Sequence, residues 1–267
     1  MDILKRSMAP ITAAAWKEID AEATRVLKGN LSARGLVDFS GPGGWEKAAV
    51  NLGVMQLGGT ELVDGVHWGM RKVQPLIELR VPFSLDIWDL DNVDRGAPAP
   101  ELDAVGVAAR KIAMFEETTV YNGFADAQIK GICQEAGKSV PLTKDAGKFI
   151  PALEEGILTL QQRGINGPYQ LMLGTEAYKM VMAGDDKGYP LVRRVNELVG
   201  ADIKWSPALT AGVLFSRRGG DYVFTCGQDL SIGYHAHDTR SVQLYLTESF
   251  TFQVLTPEAA AVFAWKS

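Results

Sequence analysis

Residue types that commonly carry chemistry are scarce in this chain. Its 267 residues include three histidines and two cysteines. Cys133 and Cys226 stand far apart and outside any CxxC spacing, so they read as free thiols of a reducing compartment. No stretch approaches the ~20 consecutive apolar residues of a membrane span. The opening MDILKRS has no apolar run behind its charges, as a secretory signal would, and a cytoplasmic location is expected, with no membrane partner. Lysine and arginine number 27 against 32 acidic residues, and the formal net charge of −5 comes with no basic stripe, which disfavours nucleic acid as a partner. G-x-S-x-G, HExxH, P-loop and dinucleotide-binding patterns are all missing, and the glycines of GGTELVDG (58–65) lack a strand–turn–helix context.

What remains is ordinary globular material, 46% hydrophobic and 22% charged. Trp16, Ile19, Ala23, Val26 and Leu27 recur at helical spacing and predict an amphipathic helix over 12–29. From Val50 to Ile87 the chain reads as β, with Gly58-Gly59 and Asp64-Gly65 as turns. This is a long hairpin whose apolar content is too sparse for a core of its own. GAPAPE (96–101) starts a helix of about 20 residues, or about 30 Å, with Leu102, Val105, Ala109, Ile112 and Ala113 as its stripe. Then follow a helix near 150–163, a strand at 169–174, a helix opened by Thr175, another begun by Pro190, and a turn at 217–221. In VQLYLTESFTFQVL (242–255), Val242, Leu244, Leu246, Phe250, Phe252 and Val254 point one way and polar residues the other, with Glu248 alone breaking the apolar face. Such a strand spans about 45 Å, far beyond the usual ~5–6 residues, and suits a large flat building block.

Few residues point to catalysis. His235 and His237 in YHAHD (234–238) fall on one face of an extended strand, but a metal site needs further ligands, and the third histidine, His67, lies in the hairpin. The adjacent carboxylates Glu116-Glu117, Glu154-Glu155 and Asp185-Asp186 read as solvated helix faces. Neither cysteine has a base beside it in sequence. An enzyme is disfavoured, and no catalytic or metal residue is assigned.

Six stretches together carry a resemblance: MDILKRSMAPITAAAWKEID (1–20), ARGLVDFSGPGGWE (33–46), PLIELRVPFSLD (75–86), GPYQLMLGTEAY (167–178), RGGDYVFTCGQDLSIGY (218–234) and TESFTFQVLTPEA (247–259). In order and over nearly the whole chain, they resemble the encapsulins, bacterial and archaeal shell proteins once described as linocin-like bacteriocins. The resemblance implies an α+β fold, the HK97-like fold of tailed-phage major capsid proteins. By that fold, 1–49 holds the N-terminal helix and the start of the peripheral domain, 50–75 is the extended hairpin loop, and 76–135 continues the peripheral domain with its spine helix. The axial domain takes 136–222, and 223–267 returns to the peripheral domain. YHAHD is no part of the shared pattern.

The resemblance also implies a homo-oligomer, a 60-mer of T=1 icosahedral symmetry, enclosing a cargo enzyme held by its C-terminal peptide. A ferritin-like iron oxidase is the cargo expected first and a dye-decolorising peroxidase second. By position, Leu27, Leu31, Leu230, Ile232 and Tyr234 form the apolar trough for that peptide, with Arg34 and Asp38 as its polar contacts. AGDDKGYP (183–190) matches the loop at the five-fold pore, making Asp185, Asp186 and Lys187 its lining and small ions its traffic. Arg80 and Trp88 match a place where some relatives hold a flavin, though no cofactor is required. A prophage capsid shares the fold, but such chains commonly begin with a scaffolding segment. A peptidase or bacteriocin role has no catalytic constellation behind it.

Overall fold

The computed structural model describes residues 3–137 and 139–266; Met1 and Asp2, which open the first of the six stretches, lie outside the described residues with Lys138 and Ser267. Helix α1 (Ala13–Asn30) begins where the Thr12 hydroxyl accepts from the Ala15 amide at 3.1 Å, and it buries the stripe read from the sequence. Strand β1 (Asp38–Ser40) follows, then β2 (Ala49–Leu57) and β3 (Gly69–Pro75), which among the described residues pair only with each other. β4 (Ile77–Asp86) runs directly into α2 (Ile87–Asp94), capped by the Asp86 carboxylate accepting from the Trp88 amide at 2.8 Å. α3 (Asp103–Asn122) is the long helix, 20 residues as expected.

The chain continues through α4 (Ile132–Glu135), β5 (Val140–Leu142), α5 (Phe149–Gln162), β6 (Tyr169–Leu173), α6 (Thr175–Ala183), β7 (Asp185–Asp186), β8 (Tyr189–Pro190), α7 (Leu191–Val199), β9 (Lys204–Trp205) and β10 (Gly212–Ser216). It ends with β11 (Tyr222–Cys226), β12 (Ser231–His237), β13 (Ser241–Val254) and β14 (Ala260–Trp265).

Two five-stranded sheets organise these elements. In the first, β13 is the central strand. Its Leu244 pairs with Phe83 of β4 on one edge and Tyr234 of β12 on the other, and Phe250 likewise lies between Ile77 of β4 and Cys226 of β11. β1 extends the sheet in parallel to β11. The polar row of β13 is not the solvent face that the alternation implied: Thr247, Ser249 and Thr251 are as buried as their apolar neighbours. Thr247 donates to the Leu79 carbonyl at 2.7 Å, Ser249 accepts from the Gln228 amide at 2.8 Å, and Tyr245 reaches the Ile3 carbonyl at 3.2 Å. Neighbouring segments cover the middle of this row, while Gln243 at its start stays exposed.

The second sheet runs β5-β14-β10-β6-β9, with α5 against β5 and β14 and α6 and α7 against β6. Its composition differs from the division expected for 223–267. β13 does lie with β4 in the first sheet, but β14 crosses to the second, where Val213 of β10 faces Val262 and Phe263 meets Val140 of β5.

Two apolar clusters hold the chain together. One joins Trp16, Ile19, Val26 and Leu27 of α1 to Val105, Ala109 and Ile112 of α3 and to Val242, Leu244 and Leu246 of β13. The other gathers Val120 and Tyr121 of α3 with Leu153, Leu171, Phe215, Phe224, Phe250 and Phe252. Helix α3 therefore serves both cores, and the turn between Ala113 and Val120 lies where they meet. No helix is long and apolar enough to cross a membrane among the described residues.

Candidate functional site

Among the described residues, the β2–β3 hairpin is an arm whose apolar side chains pack on neither core. Nine residues of β2 reach about 30 Å, and a lone two-stranded hairpin is marginal in water. Gly53, at φ +69°, sits where the ladder slips between Asn51 and Met55, and it takes there a left-handed conformation costly for other residues. Gln74 ties the base, donating to the Ala127 and Gln128 carbonyls at 3.3 Å each. Beyond that, Leu62 is 94% exposed and Leu57 78%, and Val54, Met55, Val63, Val66, Trp68, Met70 and Val73 are all open to solvent. None of these side chains enters either core. A contiguous apolar surface of this kind marks an interaction site.

A second constellation lies where the two cores meet. Arg34, in the turn after α1, is buried but for 16% of its side chain. Its Nε donates to both Glu116 oxygens at 3.0 and 2.8 Å, one terminal nitrogen reaches Asp229 at 2.6 Å, and the other reaches Glu248 at 2.5 Å. The guanidinium also lies 5.0 Å from the centre of the Phe224 ring. Glu117 is served separately by the amides of Ser32 at 2.7 Å and Ala33 at 2.8 Å, the Ser206 hydroxyl at 3.0 Å, and the Ser32 hydroxyl. Glu116 and Glu117 thus correct the expectation of a solvated helix face, since both are fully buried. Adjacency in sequence says nothing about what crosses a helix, and here a buried arginine and an incoming backbone turn supply the partners. Their signal was present: spaced three, four and seven from Ala113, Glu116, Glu117 and Val120 continue the apolar stripe of α3.

Glu154 and Glu155 are exposed on α5 as expected. Asp185 and Asp186 stand on a hairpin strand, not a helix. β7 and β8 are joined by Lys187 and Gly188 at φ 53° and 87°, a tight turn of the primed type. Asp185 and Lys187 are exposed and Asp186 half-buried.

Of the positions expected to bind a cargo peptide, Leu27, Ile232 and Tyr234 are buried in the first core, while Leu31 and Leu230 are half-buried against it. The structure brings these five together. It does not pair Arg34 with Asp38, whose carboxylate accepts from the Gly220 amide in the 217–221 turn. The open rim of this region is Leu31, Leu230, Asp229 and the edge of Arg34.

The two histidines do not share a face. The ladder shifts between Tyr234 and Ala236, so His235 is the extra residue of a bulge. His237 turns to the Tyr234 hydroxyl at 2.5 Å, while His235 lines a cleft of about 360 Å³ with Arg80, Ser84, Gln243 and Tyr245. Among the described residues no group of three or more His, Cys, Asp or Glu side chains could hold a metal ion. Burial pushes both thiols, Cys133 and Cys226, up to about 12, far from a reactive thiolate.

Arg80 and Trp88, matched by resemblance to a flavin position, lie on different elements, β4 and α2. Arg80 and Asp86 are six residue steps apart along β4, about 20 Å. Arg80 lies over the Tyr245 ring at 4.8 Å and pairs with Glu78, whereas the exposed Trp88 is covered by Arg95 at 5.6 Å.

Two sheets spanned by one long helix, with an uncovered apolar arm, define a capsid-type building block. The fold is that of the virus-like particle from Pyrococcus furiosus, with a TM-score of 0.65 at 15% identity over 93% of this chain and 98% of that one. It is also that of the capsid of the Myoviridae phage XM1, with a TM-score of 0.56 at 12% identity over 86% and 89%. This is the HK97-like fold. In sequence, the model of a family described as an encapsulating protein for peroxidase matches residues 1–251. A type 1 encapsulin shell protein from Rhodococcus erythropolis is 40% identical over 265 residues, 99% of this chain and all of that one. The chain belongs to the encapsulins.

Proposed function

We propose that this chain assembles with copies of itself into a closed icosahedral shell, a 60-mer of T=1 symmetry, around a cargo enzyme captured by its C-terminal peptide. The arm carries this reading. Among the described residues its apolar side chains enter neither core, and a symmetric shell covers every such arm with a neighbour. At about 25 cal/mol per Å² of apolar surface removed from water, covering them stabilises each contact by several kcal/mol. Light scattering should therefore find a monodisperse particle far larger than the 29.0 kDa chain. Changing Leu57 and Leu62 together to aspartate should leave a folded monomer or small oligomer, because neither side chain contributes to a core. A wild-type monomer at neutral pH would refute the proposal.

The cargo peptide would lie along the rim at Leu31 and Leu230, above the buried Leu27, Ile232 and Tyr234, within reach of Asp229 and Arg34. The description of the matching family favours a peroxidase as cargo; an iron oxidase rests on resemblance alone. Asp185, Asp186 and Lys187 would meet their symmetry copies at the five-fold axis and form a ring for entering ions. Replacing both aspartates with asparagine is expected to slow cation entry several-fold and leave assembly intact, since a hairpin tip carries little folding energy. Stopped-flow quenching of an enclosed metal-sensitive dye reads this rate, and unchanged entry would place the ion path elsewhere.

A further inference from the structure

Glu116 of α3 and Glu248 of β13 converge on one guanidinium nitrogen of Arg34, at 2.7 and 2.5 Å, and neither carboxyl is exposed at all. Asp229 occupies another nitrogen of the same arginine. One cation thus faces three carboxyl groups, two of them cut off from water. The remaining titratable groups around them are Glu117, the next residue along α3, and the Cys226 thiol of β11, and neither brings positive charge. Among the described residues Glu248 Oε1 meets no donor, while its Oε2 shares one Arg34 nitrogen with Glu116 Oε2. Two ionised carboxylates at one dry site, sharing an arginine with a third, leave uncompensated buried charge.

We infer that Glu116 and Glu248 hold one proton between them, carried on Glu248, and that its loss as the pH rises is a built-in release at the junction of the N-terminal turn, α3 and β13. Burial pushes both carboxyls upward, and Glu248, beside the charge of Glu116, is held well above the usual carboxylate range. Burial works against the charge on Arg34 but its hydrogen bonds and the carboxylates prevail, so the guanidinium stays charged throughout. The folded chain binds this proton more tightly than the unfolded chain does. Stability from the site is therefore complete at acidic pH and is lost as the pH climbs through the folded-state value. Losing the proton places a second negative charge beneath Arg34 and loosens its hold on Asp229. Asp229 begins the Leu230–Tyr234 segment, so the release would also open the rim at Leu230. That last consequence rests on the proposed cargo role; the shared proton does not.

Infrared difference spectroscopy of purified assembled protein tests it. A protonated-carboxyl band is expected at neutral pH, lost at alkaline pH and lost in Glu248→Gln. The thermal midpoint of the wild type should fall from neutral to alkaline pH, and that of Glu248→Gln should fall less. Should Glu248→Gln fail to fold, Glu116→Gln is measured in its place: Glu248 then pairs with Arg34 as a carboxylate and the band again disappears. A wild-type protein without the band at neutral pH, a variant that keeps it, or parallel midpoint profiles overturn the inference.

Discussion

Arg34→Met is expected to destabilise the subunit by about 3–5 kcal/mol, the scale of removing one partner from a buried ion pair. Among the described residues Glu116 and Glu248 meet no other cation, and both are wholly buried. At roughly 2–4 °C per kcal/mol for a chain of this size, the midpoint should drop by about 10 °C and the yield of assembled protein should fall with it. The deficit should shrink toward acidic pH, where both carboxyls take up protons and need no counter-charge. Arg34→Lys should fall between, because one ammonium cannot reach Glu116, Asp229 and Glu248 with the separate nitrogens the guanidinium presents. Scanning calorimetry across pH reads all three proteins. A methionine variant that melts with the wild type at neutral pH would show that the cluster contributes nothing.

Ile232→Asp should be more severe still, though its position in sequence pointed elsewhere. By resemblance, Ile232 faces the cargo peptide, and a charge there would yield assembled but empty shells. The structure buries it to 3% exposure against Leu246 of β13 and the α1 stripe. An aspartate at that depth has no partner, and the cost is several kcal/mol. The expected result is loss of folding, read as insoluble or protease-sensitive protein. Leu230→Asp separates the two roles. Leu230 is half-buried at the open rim, so its variant should fold and assemble yet retain less than a tenth of the co-expressed cargo, the factor that follows from losing about 1.4 kcal/mol or more of binding. Normal loading in Leu230→Asp would move the cargo site away from this rim.

Both experiments turn on side chains whose types were visible from the start. Glu248 stood out as the one charged residue on the apolar row of β13, and Glu116 occupied a stripe position of α3. Yet neither identified the other, and Arg34, more than eighty residues before Glu116, had no periodicity to tie it to either. His235 and His237 likewise read as a pair on one face until the bulge at Tyr234–Ala236 turned them apart. A bulge depends on the partner strand, which no local pattern records.

Order along the chain was a local matter. The stripe of α1, the 20-residue length of α3 and the alternation of β13 follow from periods of 3.6 and 2, and each element formed close to where its pattern put it. The arm formed where it was expected, but its apolar side chains are numerous rather than sparse, and what sets it apart is that they stay exposed. The sequence by itself therefore determined the parts, their order and the family. Tertiary structure alone decided which strands flank β13, why its polar row is buried, that β14 crosses to the second sheet, and which three carboxyls meet Arg34. Those outcomes depend on groups far apart in the chain reaching the same few ångströms, where exclusion of water makes each contact strong and each unpaired charge costly.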